Sequence, residues 1–219
     1  MFVVLFTLLV VLFVVLVLLV TSLSLVTSLS FVTLLSMWFV VLLFTGIDFE
    51  TYEVDLANKS VEFLSVSPTG KVPVVVVDGD SIYESNVVNQ YIDEVTDEPK
   101  LMPRDPKRRA YARIWMAFAD TDFFPAVFVA SVGRERGFSE ERISEAFQRL
   151  EGALRKLEDR LEDRDYLADE FSLADIAHAG NFVRLRQLEE RGEVYLDGYP
   201  NVAAWMERLE NRKSYEAAL

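Results

Sequence analysis

Two short pieces of this 219-residue chain carry groups that suit recognition of a small charged molecule. In TGKVPVVV, Thr69–Val76, a proline stands between two valines at the head of an apolar run. Proline gives no N–H to a sheet ladder, so it belongs at the start of a strand. A cis bond before Pro73 would turn the backbone so that Val72 presents its N–H and C=O, and a peptide-like ligand could then pair there as an added strand. In YESN, Tyr83–Asn86, the pair Glu84–Ser85 opens a helical pattern. A helix N-terminus favours an anion through its free N–H groups and its dipole. The Ser85 hydroxyl can donate to a carboxylate, and Glu84 can accept from an ammonium. Together they suit the amino-acid end of a small zwitterion. The structural alternative is a plain loop end at Val72–Pro73 and a plain helix cap at Ser85.

The elements that must hold these groups can be read along the chain. FETYEV, Phe49–Val54, alternates apolar and polar residues and predicts a strand. Ser60 caps a short helix that Pro68 closes. VPVVVV is a buried strand, DGD at Asp78–Asp80 a hairpin turn, and SIYE the next strand. From Ser85 an amphipathic helix carries Val87, Val88, Tyr91, Ile92 and Val95 on its apolar face, with Ser85 as N-cap. Thr96–Pro106 holds three prolines and reads as a linker. All that follows is helical in pattern. Lys107–Val132 is kinked or restarted at Pro125, and Ser139 caps a long helix to about Asp163. SLAD, Ser172–Asp175, is a capping box opening a helix to about Leu188, and Tyr199–Leu209 forms another.

Composition bounds the function. There is no cysteine, which excludes disulfides, thiolate metal sites and a cysteine nucleophile. The net charge is −13, and the first charged residue is Asp48. An acidic surface repels nucleic-acid backbones, so no nucleic-acid partner is expected. No metal-ligand spacing, Gly-rich phosphate loop or nucleophile elbow occurs.

The sequence resembles the cytosolic glutathione S-transferase family from about Gly46 to Leu219. The resemblance is carried by GIDFETYEVDL, NKSVEFLSVSPTGKVPV, DGDSIYESNVVNQYIDE, LMPRDPKRRAYARIWMAF, YLADEFSLADIAHA and YPNVAAWMERL, in that order. It implies an α/β thioredoxin-like N-terminal domain over residues 46–96, with an atypical first strand and helix. An all-helical C-terminal domain over residues 105–219 follows. It further implies a cytoplasmic homodimer that uses glutathione as cosubstrate, with no metal, to conjugate or reduce a small electrophile. Residue by residue, Lys59 matches the lysine that holds the glycine carboxylate of glutathione. Val72, before Pro73, matches the residue whose backbone pairs with the cysteinyl part. Glu84 and Ser85 match the pair that binds the γ-glutamyl end. Tyr111, Trp115 and Phe118, at i, i+4 and i+7, lie on the helix that in the family faces the electrophile pocket; core packing is the alternative. Ser172 and Asp175 match a buried structural capping box.

The resemblance weakens upstream. The family's catalytic Ser, Tyr or Cys bonds the glutathione sulfur and lowers its pKa, so that thiolate is available at neutral pH. Spacing back from Gly46 leads to Val32, with Ser30, Thr33 and Ser36 as nearby hydroxyls. Thr33 is the nearest catalytic candidate, and a bond back to a helix carbonyl is its structural alternative. His178, the only histidine, sits in an apolar helix and is expected to be a satisfied core residue.

Residues 1–45 use only seven residue types. Met1–Val20 has the length of a membrane helix, and its eighteen Leu, Val and Phe residues favour insertion by about 7 kcal/mol. A soluble fold instead needs a first strand near Leu23–Thr27 and a helix near Thr33–Phe44. A third reading makes residues 1–45 an aberrant start. Two other function classes compete with the soluble transferase. One is a non-catalytic binding protein like the stringent starvation protein A family, which partners RNA polymerase and whose LMP and DEFSL pieces resemble Leu101–Pro103 and Asp169–Leu173. The other is a transferase tethered to a membrane through residues 1–20.

Overall fold

The computed structural model describes residues 2–4, 49–52 and 54–216, and it divides after Pro99 into two compact units. The first unit holds a four-stranded mixed sheet in the order β2-β1-β3-β4. Strand β1 (Phe2–Val4) runs parallel to β2 (Phe49–Thr51) and antiparallel to β3 (Val74–Val77). Residues 2–4 are therefore paired within a sheet, where the membrane reading expects the first turn of a spanning helix. The strand expected over Leu23–Thr27 and the helix over Thr33–Phe44 lie outside the described residues.

Strand β3 is four valines, whose branched side chains suit a pleated surface. Val74 and Val75 are fully buried. It turns into β4 (Asp80–Tyr83) through Asp78 and Gly79, with φ of 52° and 93°. Two successive positive φ values are the signature of a tight hairpin turn whose twist matches its strands, and Asp-Gly is a favoured pair for it. The helix α1 (Val61–Val66) starts where Ser60 accepts the Phe63 N–H at 3.1 Å, and it ends two residues before Pro68.

Helix α2 (Ser85–Val95) departs from the expected face. Its buried residues are Val88, Asn89, Ile92 and Asp93, while Val87 and Val95 are about half exposed. The apolar periodicity left two faces open one position apart, and tertiary packing selected the one that also carries two polar residues.

The second unit, from Lys100 to Ala218, is built of helices throughout its described residues. Asp105 caps α3 (Pro106–Phe118) by accepting the Arg108 N–H, with Pro106 at the first helical position. A π-helical turn, Ala119–Phe123, then leads into α4 (Phe124–Val132). Pro125 explains the turn: it has no N–H to give the Thr121 carbonyl, which instead accepts from Arg149 Nη2 at 3.3 Å. Helix α5 (Glu140–Leu161) is capped by Ser139 and buries Ile143, Leu150, Leu154, Leu157 and Leu161 along one stripe.

The capping box forms as expected, and Asp175 reaches beyond it. Its carboxylate accepts from the Ser172 N–H and hydroxyl, from the Leu167 N–H, and from Trp205 Nε1 at 2.9 Å. It thereby ties the start of α6 (Leu173–Ala179) to the preceding loop and to α8 (Pro200–Glu210). Helix α6 stops at Gly180, and α7 (Phe182–Glu190) begins anew, where one helix to Leu188 is expected. Among the described residues one helical run, Pro106–Val132, is long and apolar enough to cross a membrane. It buries Ala112, Met116, Phe123 and Val127.

Candidate functional site

The sheet register brings the first group of site residues to one end of the hairpin. Val74 pairs with Tyr83, so Val72–Pro73 enters β3 at the end where Glu84–Ser85 leaves β4. The Val72–Pro73 bond is cis. The β3 ladder begins at Val74, and the Val72 N–H and C=O have no partner among the described residues. Lys59 joins from α1's leading loop. Gly70, with φ +62°, curls the chain under it, so that a Cβ at Gly70 would lie 3.4 Å from the Lys59 ammonium.

Glu84 carries the strongest local signal. Its φ of 67° and ψ of 116° place a non-glycine residue in left-handed backbone, a conformation that costs about 1–3 kcal/mol. It occupies the N-cap position in place of Ser85, which becomes the first helical residue. Its carbonyl accepts from the Val87 and Val88 N–H groups, both at 2.9 Å. Its side chain makes no capping bond, and neither the Glu84 carboxylate nor the Ser85 hydroxyl has a partner among the described residues. A strained, exposed carboxylate beside an unbonded hydroxyl at a helix N-terminus offers one acceptor and one donor to a zwitterion, with the dipole favouring its anionic part.

The second group is on α3, in the second unit. Trp115 and Phe118 meet edge to face with ring centroids 5.3 Å apart, and Tyr111 is 40% exposed. Two cations from α5 lie against this row: Arg160 is 5.2 Å from the Tyr111 ring centroid, and Lys156 is 5.2 Å from that of Phe118. These cations were illegible in the sequence, where they belong to a helix laced with Glu, Arg and Lys that reads as solvated.

His178 is fully buried among Phe118, Phe123 and Trp205. Its Nδ1–H donates to the Ala174 carbonyl at 2.9 Å, while Nε2 has no partner among the described residues. The expectation of a satisfied core histidine is thus met at one nitrogen only. Burial pushes its pKa down to about 4. Burial also raises Asp175, to about 6, against the lowering pull of its four donors. Thr33 lies outside the described residues. Among the described residues no group of three or more His, Cys, Asp or Glu could hold a metal ion.

A thioredoxin-like domain followed by an all-helical domain is the architecture of one transferase class. The sequence profile of the glutathione S-transferase N-terminal domain matches residues 26–94, and that of its C-terminal domain matches residues 140–208. Glutathione S-transferase U28 of Arabidopsis thaliana is 35% identical over 184 residues, covering 82% of this chain and 81% of the relative. A probable glutathione S-transferase of Solanum tuberosum is 35% identical over 73% of each chain. Among solved structures, a glutathione S-transferase of Methylobacillus flagellatus with glutathione bound superposes with a TM-score of 0.74. It shares 29% identity over 85% of this chain and 94% of that one. Glutathione transferase F7 of Populus trichocarpa gives 0.73, at 27% identity over 85% of this chain and 92% of that one. The chain belongs to the glutathione S-transferase family. The profile match starts twenty residues before Gly46, so family likeness extends into the segment where the motifs alone show none.

Proposed function

We propose that the protein is a glutathione transferase that joins the sulfur of glutathione to a small electrophile, or uses glutathione to reduce one. The observation that carries this reading is Glu84, held at φ 67° with a free carboxylate beside the unbonded Ser85 hydroxyl. Glu84 accepts from the γ-glutamyl ammonium. Ser85 donates to the γ-glutamyl carboxylate, which the α2 dipole also favours. The Val72 backbone pairs with the cysteinyl peptide as an added strand, with Pro73 fixing the turn. Lys59 meets the glycine carboxylate. Thr33 is the candidate donor to the sulfur, and its hydroxyl would stabilise the thiolate once the thiol proton has left to solvent. Tyr111, Trp115 and Phe118 line the electrophile side.

The test is retention on immobilised glutathione and conjugation of a chloronitroarene. Wild type is retained, and Glu84→Ala and Ser85→Ala each elute at about tenfold lower free glutathione. Failure of wild type to bind, or variants that elute with it, would sink the reading. The reading also includes a homodimer in the cytoplasm, checked by sedimentation velocity and cell fractionation. Carbonate-resistant sedimentation with membranes would point instead to a tether through residues 1–20.

A further inference from the structure

A cleft of about 680 Å³ opens within the helical unit, between α5 and the chain from Glu193 to Tyr199. Small-molecule sites measure about 300–1,000 Å³, so it has room for one. Glu151, Arg155 and Glu158 line it from one stripe of α5. Lys156 and Arg160, which meet the α3 rings, fall on roughly the opposite side of that helix. The floor is apolar, with buried Leu150, Leu154 and Val194. Three aromatic side chains edge it: Phe147 and Tyr199 are half-buried, and Tyr195 is 72% exposed. Among the described residues no ring or cation packs on Phe147 or Tyr195, so their faces are open. The charge is one-sided. Four carboxylates, Glu151, Glu158, Asp159 and Glu193, line the cleft against one cation, Arg155. Arg155 is held by Glu151 at 2.6 Å. Glu158 accepts from the Asn201 and Val202 N–H groups, and Glu193 is paired with Arg134. Asp159 is exposed and has no partner among the described residues.

We propose that this cleft binds an organic cation, a substituted ammonium on an aryl body. The ammonium rests against the open face of Tyr195, whose ring quadrupole attracts positive charge, and Asp159 supplies the counter-charge. The aryl body lies on Leu150, Leu154 and Val194, where its removal from water drives binding. The net charge of −13 draws cations to the surface and repels anions, so an anionic ligand of the same size is disfavoured. No residue of the cleft belongs to the transferase groups, and binding makes or breaks no covalent bond.

The test uses an isosteric pair, 4-(trimethylammonio)benzamide and 4-tert-butylbenzamide, titrated calorimetrically into the full chain. Wild type should bind the cation about fivefold more tightly than the neutral probe. Tyr195→Ala and Asp159→Asn should each cut that preference by about two- to threefold. Both residues are exposed, so both variants should keep the circular dichroism spectrum of wild type. Glu145→Gln, the loss of one exposed carboxylate from a different face of α5, should leave the preference intact. Saturating glutathione should not displace the cation. No binding of the cation, equal affinity for the two probes, a preference that survives both cleft variants, or displacement by glutathione overturns the inference. Each of these outcomes leaves the transferase reading standing, and failure to bind glutathione sinks that reading without touching the cleft.

Discussion

Replacing His178 by Phe should expose an acid-stability balance that the wild-type protein conceals. His178 and Asp175 are both fully buried, three residues apart, and both touch Trp205. The histidine pKa falls from 6.5 to about 4 on folding, so the unfolded chain binds the extra proton between those values. Stability is lost as pH falls through that window, by about 3 kcal/mol when it is complete. The aspartate rises from 3.8 to about 6, so here the folded chain binds the extra proton. Its contribution is fully present below 3.8 and is lost as pH rises through 6, again by about 3 kcal/mol. The two windows overlap and oppose, so the pair together adds little net pH dependence between pH 6.5 and 4. The variant removes one arm. At pH 7.5 Phe also replaces an unbonded Nε2 in an aromatic cage, so it should cost less than about 1 kcal/mol there. Urea unfolding followed by circular dichroism at pH 7.5 and 4.5 would measure the difference. Relative to wild type, His178→Phe should gain about 2–3 kcal/mol on acidification. Parallel pH profiles for the two proteins would refute the compensation.

Other substitutions probe packing directly. A Cβ at Gly133 would lie 2.4 Å from the Val129 carbonyl oxygen and 2.9 Å from Ile143, so Gly133→Ala should lower the urea-derived stability by about 2 kcal/mol, and an unchanged midpoint would contradict the geometry. Asn89 is fully buried, and neither polar atom of its amide has a partner among the described residues, so Asn89→Leu should raise stability by about 1–2 kcal/mol, and a loss in the same assay would show that the amide is satisfied after all.

What could be read in advance was chemistry closed within a few residues. The Asp78–Gly79 turn, the Ser60 and Ser139 caps and the Ser172–Asp175 box each satisfy N–H groups at most four positions away, so their residue types suffice. The Glu84–Ser85 pair was legible for the same reason, although the backbone made Glu84 the cap and set it at φ 67°. Periodicity also predicted the long helices, and Pro125 announced the break that became a π turn. Choices between near-equal local options were not legible. On α2 two apolar faces competed, and the buried one carries Asn89 and Asp93. At Gly180 nothing in the spacing separated one helix from two. Strand β1 pairs with β3 across some seventy residues, and no local pattern distinguishes Phe2–Val4 from the valines and leucines that follow. The aromatic row was visible by its spacing, but the cations on its rings come from a helix forty residues on. Sequence alone fixes interactions whose partners are chain neighbours. Burial, the companions of His178 and the charge around Phe118 depend on which distant segments pack together, and only the tertiary structure decides that.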